Sequence, residues 1–300
     1  MWARRMLRPA RIVSTIAKGF IMRQLFLLFV LSLVGCGAPA ETDAGVEVDG
    51  DAGELADAGG ERDSGLPPSD AGPPPSAKRG SVYAYQSPSG FVSNGAIFAD
   101  HGPIEARLDC ERRVVGACEI ETCVRLGDDP LPTLVPLRPG SITVSGESAC
   151  TIAPSDQYCA LASGERYWDP ASGGTVTFTA AGGELPAFTV EVDAPTLATL
   201  TAPTATEVPR ASDLAITWTG GSGTIRAIGG GWSSTSDRRA TVQCEAPASA
   251  GALTVPAEAL QALMNDHPIG IEIHTEEVRD VGGYETTFSA TSFLGQVYLE

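Results

Sequence analysis

Imidazole is scarce in this chain: His101, His267 and His274 are its three histidines. A serine-histidine-acid triad would have to use one of them, because the hydroxyl needs a base within hydrogen-bond reach. His101 follows Asp100 beside Gly102-Pro103, and His267 follows Asp266 before Pro268, so both read as turns. His274 lies in an alternating stretch that puts Glu272 and Glu276 on its own strand face. Residues two apart on a strand stand about 7 Å apart. Gathering all three on one metal would need a bend, so a solvated polar face is the simpler expectation. No Gly-x-Ser-x-Gly elbow occurs. Gly220-Gly221-Ser222-Gly223 lies between two strand patterns and opens no helix, which makes it a turn rather than a dinucleotide loop. Lysine occurs only as Lys18 and Lys78, so residues 80–300 lack the lysine of a P-loop or a Schiff base. No catalytic residue, metal site or cofactor is assigned.

Cysteine is the other reactive side chain. Setting Cys36 aside leaves six: Cys110, Cys118, Cys123, Cys150, Cys159 and Cys244. An even number in an oxidising compartment implies three disulfides, although six cysteines allow fifteen pairings. Cys150 and Cys159 are expected to close a local loop. Cys244 is expected to pair with Cys110, Cys118 or Cys123, leaving the other two for each other; the alternative is a buried, free Cys244. The Cys118-x4-Cys123 spacing is near that of zinc ligands, but no histidine stands close, which favours disulfides.

Aromatic rings offer a binding chemistry instead. Tyr83 and Tyr85 share a strand face, and Tyr167, Trp168 and Trp232 lie among Gly, Ser and Pro. Exposed together, they would form a platform for sugars. Alternating tyrosines also pack inward with the hydroxyl at the rim.

The elements that must position these residues are strands. Residues 141–145, 175–179, 188–192, 214–218, 240–244, 271–274 and 296–299 alternate polar with apolar, between frequent Gly and Pro. Such a pattern predicts an all-β chain of antiparallel sheets, each with one buried face. One short helix is expected near 256–265, with Pro256 and Glu258 in its first turn and Leu260, Leu263 and Met264 on one face. A break near Asp193-Ala194-Pro195 divides two β-sandwich domains, 81–194 and 195–300. The second places Trp218 on a strand and Cys244 on the face of Val242. It resembles an immunoglobulin-like sandwich in this respect, but has no second cysteine of its own.

The first eighty residues have a different texture. Met22-Arg23-Gln24 precedes an apolar run from Leu25 to Val34, then Gly35-Cys36. About ten apolar residues cannot span a hydrocarbon core of roughly 30 Å, but they suit a secretory signal. Leu33-Val34-Gly35-Cys36 resembles the lipobox of bacterial lipoproteins. That resemblance implies a diacylglyceryl group on the Cys36 thiol, cleavage before Cys36, and acylation of the new N-terminus. Residues 1–35 are then the signal region, with translation predicted to start at Met22. Residues 36–80 hold the lipidated cysteine and a linker with Asp-Ala-Gly at 43–45, 51–53, 57–59 and 70–72. The linker is similar to those of lipoproteins predicted in myxobacteria. Its acidic, proline-rich composition predicts a disordered tether spanning about 35–40 Å on average. The Asp49-Gly50-Asp51…Glu54 run lacks the ligand spacing of a calcium loop.

The formal charge of the chain is −17, and removing the six basic groups of residues 1–35 leaves −23. A surface this acidic repels nucleic acid and anionic lipid. The expected contact with membrane is therefore through acyl chains on Cys36, with an envelope protein or a glycan as further partner. Gly37 in place of Asp points to the outer membrane, at its periplasmic face or the cell surface. The function expected is a non-enzymatic binding or structural role; a carbohydrate-binding module is the alternative, and an extracytoplasmic hydrolase a third.

Overall fold

A computed structural model describes residues 78–87, 89–127, 131–233, 237–263 and 268–300. The signal, Cys36, the linker before Lys78, and His267 lie outside the described residues. The described chain is all-β.

In chain order the strands are β1 (Lys78–Gln86), β2 (Val92–Asp100), β3 (Leu108–Val115), β4 (Cys118–Arg125), β5 (Ile142–Ser145), β6 (Ala149–Ile152), β7 (Tyr158–Ala160), β8 (Gly174–Ala180) and β9 (Phe188–Ala194). They continue as β10 (Ala198–Ala202), β11 (Glu207–Val208), β12 (Leu214–Gly220), β13 (Thr224–Trp232), β14 (Arg238–Pro247), β15 (Ala252–Val255), β16 (Ile269–Val281) and β17 (Tyr284–Leu299). One large sheet runs β3-β4-β14-β13-β16-β17-β1-β2-β7, with β11 also pairing β17. Two small sheets, β6-β5-β8-β9 and β10-β12-β15, accompany it. Most pairings are antiparallel, but β1 and β11 each run parallel to β17.

Each small sheet closes a hydrophobic core against the same face of the large one. Val144, Val176 and Phe178 of the four-stranded sheet pack with Val82, Phe98, Phe288 and Ala290 of the large sheet. Ile216, Trp218 and Leu253 of the three-stranded sheet pack with Ile120, Ile225, Val242, Ile271 and Ile273. The division at 194/195 separates the two small sheets but not the two cores. Cys118 and Ile120 belong to the second core, and Val281, Tyr284, Phe288 and Ala290 to the first. The β16–β17 hairpin serves both.

The expected helix is Ala257–Ala262, with Pro256 as its N-cap and Leu263 already extended after it. It ends earlier than the apolar spacing implied because Leu263 turns into the second core. A second one-turn helix, Gly102–Glu105, replaces the turn expected after His101, with Pro103 in its first turn where a missing N–H costs nothing. Among the described residues no helix is long and apolar enough to cross a membrane.

The large sheet must curl. From β3 to β2 there are seven strand spacings, about 34 Å if flat. The chain from Asp100 to Leu108 has eight peptide steps, at most about 28 Å extended, and part of it is helical. It still joins both ends. Arg79 of β1 donates to Glu105 at 2.7 Å, and the Leu126 N–H, just past β4, donates to the Arg107 carbonyl at 2.8 Å. The curl closes toward the face that carries Arg79, opposite both hydrophobic cores.

Candidate functional site

That inner face is a ladder of charges and rings. Strand alternation sends Cys118, Ile120, Val242, Cys244, Ile225, Ile271 and Ile273 to the core. The same period sends Glu119, Glu121, Arg239, Glu245, Arg226, Glu272 and His274 to the other side. Arg112 of β3 donates to Glu121 of β4 at 2.8 Å, and Arg239 of β14 donates to the other oxygen of the same carboxylate. Both Glu121 and Arg239 are buried. The Trp232 ring stacks under the Arg239 guanidinium, 5.9 Å from centroid to carbon. Further along, Arg226 of β13 donates to Glu272 of β16 at 2.7 Å and stands 3.9 Å from Glu245 of β14. Every buried charge in this run has an opposite neighbour, as burial requires.

His274 sits between two carboxylates, buried at 3% exposure. Its Nε2 is 3.5 Å from Glu245 and its Nδ1 is 3.7 Å from Glu276. Of the trio singled out on β16, Glu272 is turned to Arg226 instead. Glu245 takes its place from β14, which no local spacing on β16 could reveal. The two ring nitrogens face different carboxylates, so one ion cannot bridge the group. Burial pushes the Glu245 carboxyl up, but the neighbouring His274 ring and the Arg226 charge outweigh it and hold it below its usual range. His101, also buried, is pushed down by burial and then by the Arg79 charge.

The tyrosines lie on the same face. The Tyr83 ring lies over Gly95 of β2, where a Cβ would meet it at 2.4 Å. The Tyr85 ring is 6.2 Å from that of Phe91. Burial raises the Tyr83 phenol to about 12, with Tyr158 adding to it. It raises Tyr85 further, helped by the Glu272 charge.

Tyr167 and Trp168 do not join this surface. Each is 1% exposed and part of the first core. The Tyr167 hydroxyl accepts from Asn94 at 2.5 Å, and the Trp168 carbonyl accepts from Gln86 at 3.3 Å. Their small, polar sequence neighbours suggested exposure, but two long-range hydrogen bonds draw the segment inward. Trp232, 37% exposed, is the one indole of the expected platform that reaches solvent.

The six cysteines form three disulfides: Cys110–Cys123, Cys118–Cys244 and Cys150–Cys159. The first joins β3 to β4 on the inner face. The second joins β4 to β14 inside the second core, linking the two halves of the sequence. The third ties β6 to β7. The sulfurs of Cys110 and Cys123 and a Glu121 oxygen lie within 4.8 Å of one another. With both sulfurs in one disulfide, neither is a thiolate ready to bind metal. Comparison with protein-family models and with curated proteins finds no match for the chain.

Proposed function

We propose that this chain is a lipid-anchored protein of the bacterial cell envelope, most simply of the outer membrane, with a non-enzymatic binding or structural role. The observation that carries this reading is the pairing of all six remaining cysteines in an all-β body. Disulfides persist in oxidising compartments outside the cytoplasm. The lipobox-like Leu33–Cys36 supplies the anchor, with acyl chains on Cys36 as the contact with membrane. The acidic linker before Lys78 would hold the body off the surface, within reach of an envelope protein or a glycan. The carbohydrate reading keeps Trp232 at the surface, but Tyr83 and Tyr85 are largely buried on the inner face and Tyr167 and Trp168 are lost to the core. A hydrolase built on His274, Glu272 and Glu276 is less well supported, because Arg226 already holds Glu272.

Mass spectrometry of the mature protein tests the reading. Diacylglyceryl and amide-linked acyl mass on an N-terminal Cys36, lost in Cys36→Ala, together with no free thiol, is the expected result. A mature chain that keeps Met22–Gly35 and stays in the aqueous phase of a detergent separation overturns it.

A further inference from the structure

One rung of the inner face runs across four strands. Trp232 of β13 is the register partner of Arg239 of β14, Arg239 of Cys123 of β4, and Cys123 of Cys110 of β3. Strand pairing therefore lines up an indole, a guanidinium and a disulfide. Both ends of the rung reach solvent, Trp232 at 37% and Cys110 as an exposed residue, while Arg239 and Cys123 between them are buried.

The two sulfurs of this disulfide are consequently unlike. Among the described residues β3 is the last strand of the large sheet, so Cys110 has β4 on one side and no paired strand on the other. Exchange begins when a thiolate gains access to one sulfur, and the other sulfur must leave with the electron pair. Cys110 offers the access. Arg239 Nη2 stands 3.4 Å from Cys123 Sγ, placed to donate to the thiolate that would leave. The Trp232 ring stacked on that guanidinium helps to keep it there. The Glu121 carboxylate, 3.5 Å from the same sulfur, opposes a second negative charge. Arg112 and Arg239 both donate to Glu121, which offsets its charge.

The other two disulfides lack this combination. Cys118 and Cys244 are both fully buried in the second core. Cys150 and Cys159 are half-buried, and Asn94 Oδ1 lies 3.0 Å from Cys159 Sγ, where its lone pairs would repel a developing thiolate.

We propose that Cys110–Cys123 is an exchange-active disulfide that oxidises a dithiol. One thiolate of the dithiol attacks Cys110 Sγ, forming a mixed disulfide and expelling Cys123 as a thiolate beside Arg239. The second thiolate of the dithiol then attacks its partner sulfur in that mixed disulfide and expels Cys110. The dithiol loses two electrons and two protons in becoming a disulfide, and Cys110 and Cys123 gain them as two thiols. This activity goes beyond the binding role proposed above and needs neither the anchor nor a glycan.

The test uses the mature chain carrying Cys36→Ser, without denaturant. Dithiothreitol or reduced glutathione is added, samples are quenched in acid with N-ethylmaleimide, and the peptides are mapped by mass. Cys110 and Cys123 should be alkylated together at least about tenfold faster than Cys150 and Cys159, with Cys118 and Cys244 last. Glutathione should be caught on Cys110 and not on Cys123. Arg239→Met should slow the exchange about tenfold, and Arg239→Lys, which keeps the charge, should restore most of it. Should Arg239→Met fail to fold, the order of reduction and the position of glutathione in the parent still decide. Equal rates for the three pairs, or glutathione on Cys123, overturn the proposal. So does an exchange rate that a folded Arg239→Met leaves unchanged. Failure of Cys36 acylation would refute the anchor and leave this site untouched.

Discussion

Consider replacing both Cys118 and Cys244 with alanine. Their disulfide closes a loop with a sequence separation of 126, against 13 for Cys110–Cys123 and 9 for Cys150–Cys159. If a crosslink acts by restricting the unfolded chain, its contribution grows with the logarithm of loop length. The long loop is then worth about 5 kcal/mol, and the two short ones about 3 kcal/mol each. Both Cys118 and Cys244 are fully buried in the second core, so the alanine pair also loses packing. Equilibrium unfolding in guanidinium, followed by tryptophan fluorescence, measures the difference on the full mature chain with Cys36→Ser. The Cys118→Ala/Cys244→Ala protein should lose at least about 2 kcal/mol more than Cys150→Ala/Cys159→Ala. Equal losses would refute the reasoning, and would mean that the unfolded ensemble already holds the two halves together.

Breaking the buried Glu121–Arg239 pair with Glu121→Gln should cost about 3 kcal/mol, because Arg239 is left charged and enclosed, and Glu121→Gln/Arg239→Met should recover part of it in a calorimetric scan. Trp218 Nε1 donates to the Ala248 carbonyl at 2.7 Å inside the second core, so Trp218→Phe should cost about 1–2 kcal/mol more than its lost area alone. Alkaline titration read by phenolate absorbance should show Tyr83, Tyr85 and Tyr167 ionising late; their raised pKa means stability is full below about 10 and falls as pH rises through the folded values. On the acid side, His101 is lowered from 6.5, so the unfolded chain takes up its proton first and stability falls as pH drops below that value. Glu245 is lowered from 4.5, so its contribution is present above that pH and lost as pH falls through its folded value. Denaturation midpoints at pH 7, 5.5 and 4 should fall in that order, with the first drop reduced in His101→Gln.

The strands were legible because period-two alternation is a local property. Ile142 and Val144, Val176 and Phe178, and Ile271 and Ile273 all face a core as their spacing implies. The parity argument required a bridge from Cys244 to the earlier cysteines, and the structure joins it to Cys118. What alternation cannot carry is the partner of each strand. Val82 pairs with Phe288 across two hundred residues, and no short-range signal marks that parallel register. The polar site suffered for the same reason. Glu272 and Glu276 were visible beside His274, whereas Glu245 and Arg226 reach it from neighbouring strands. Tyr167 and Trp168 misled because their surroundings in sequence are polar, while Asn94 and Gln86, some seventy to eighty residues earlier, hold them inside.

The β16–β17 hairpin has a consequence for how the chain comes into being. Ile271, Ile273 and Val297 line one core, and Val281, Tyr284, Phe288 and Ala290 line the other. A nascent polypeptide that has reached Pro268 possesses neither interior in finished form, since each still lacks a wall. Everything before that point leaves its apolar faces unsheltered until these two ribbons are in place. Long-range closure of this kind is slow. The two interiors therefore share one closing element, and a cut at 194/195 would strip each of strands it takes from the other half.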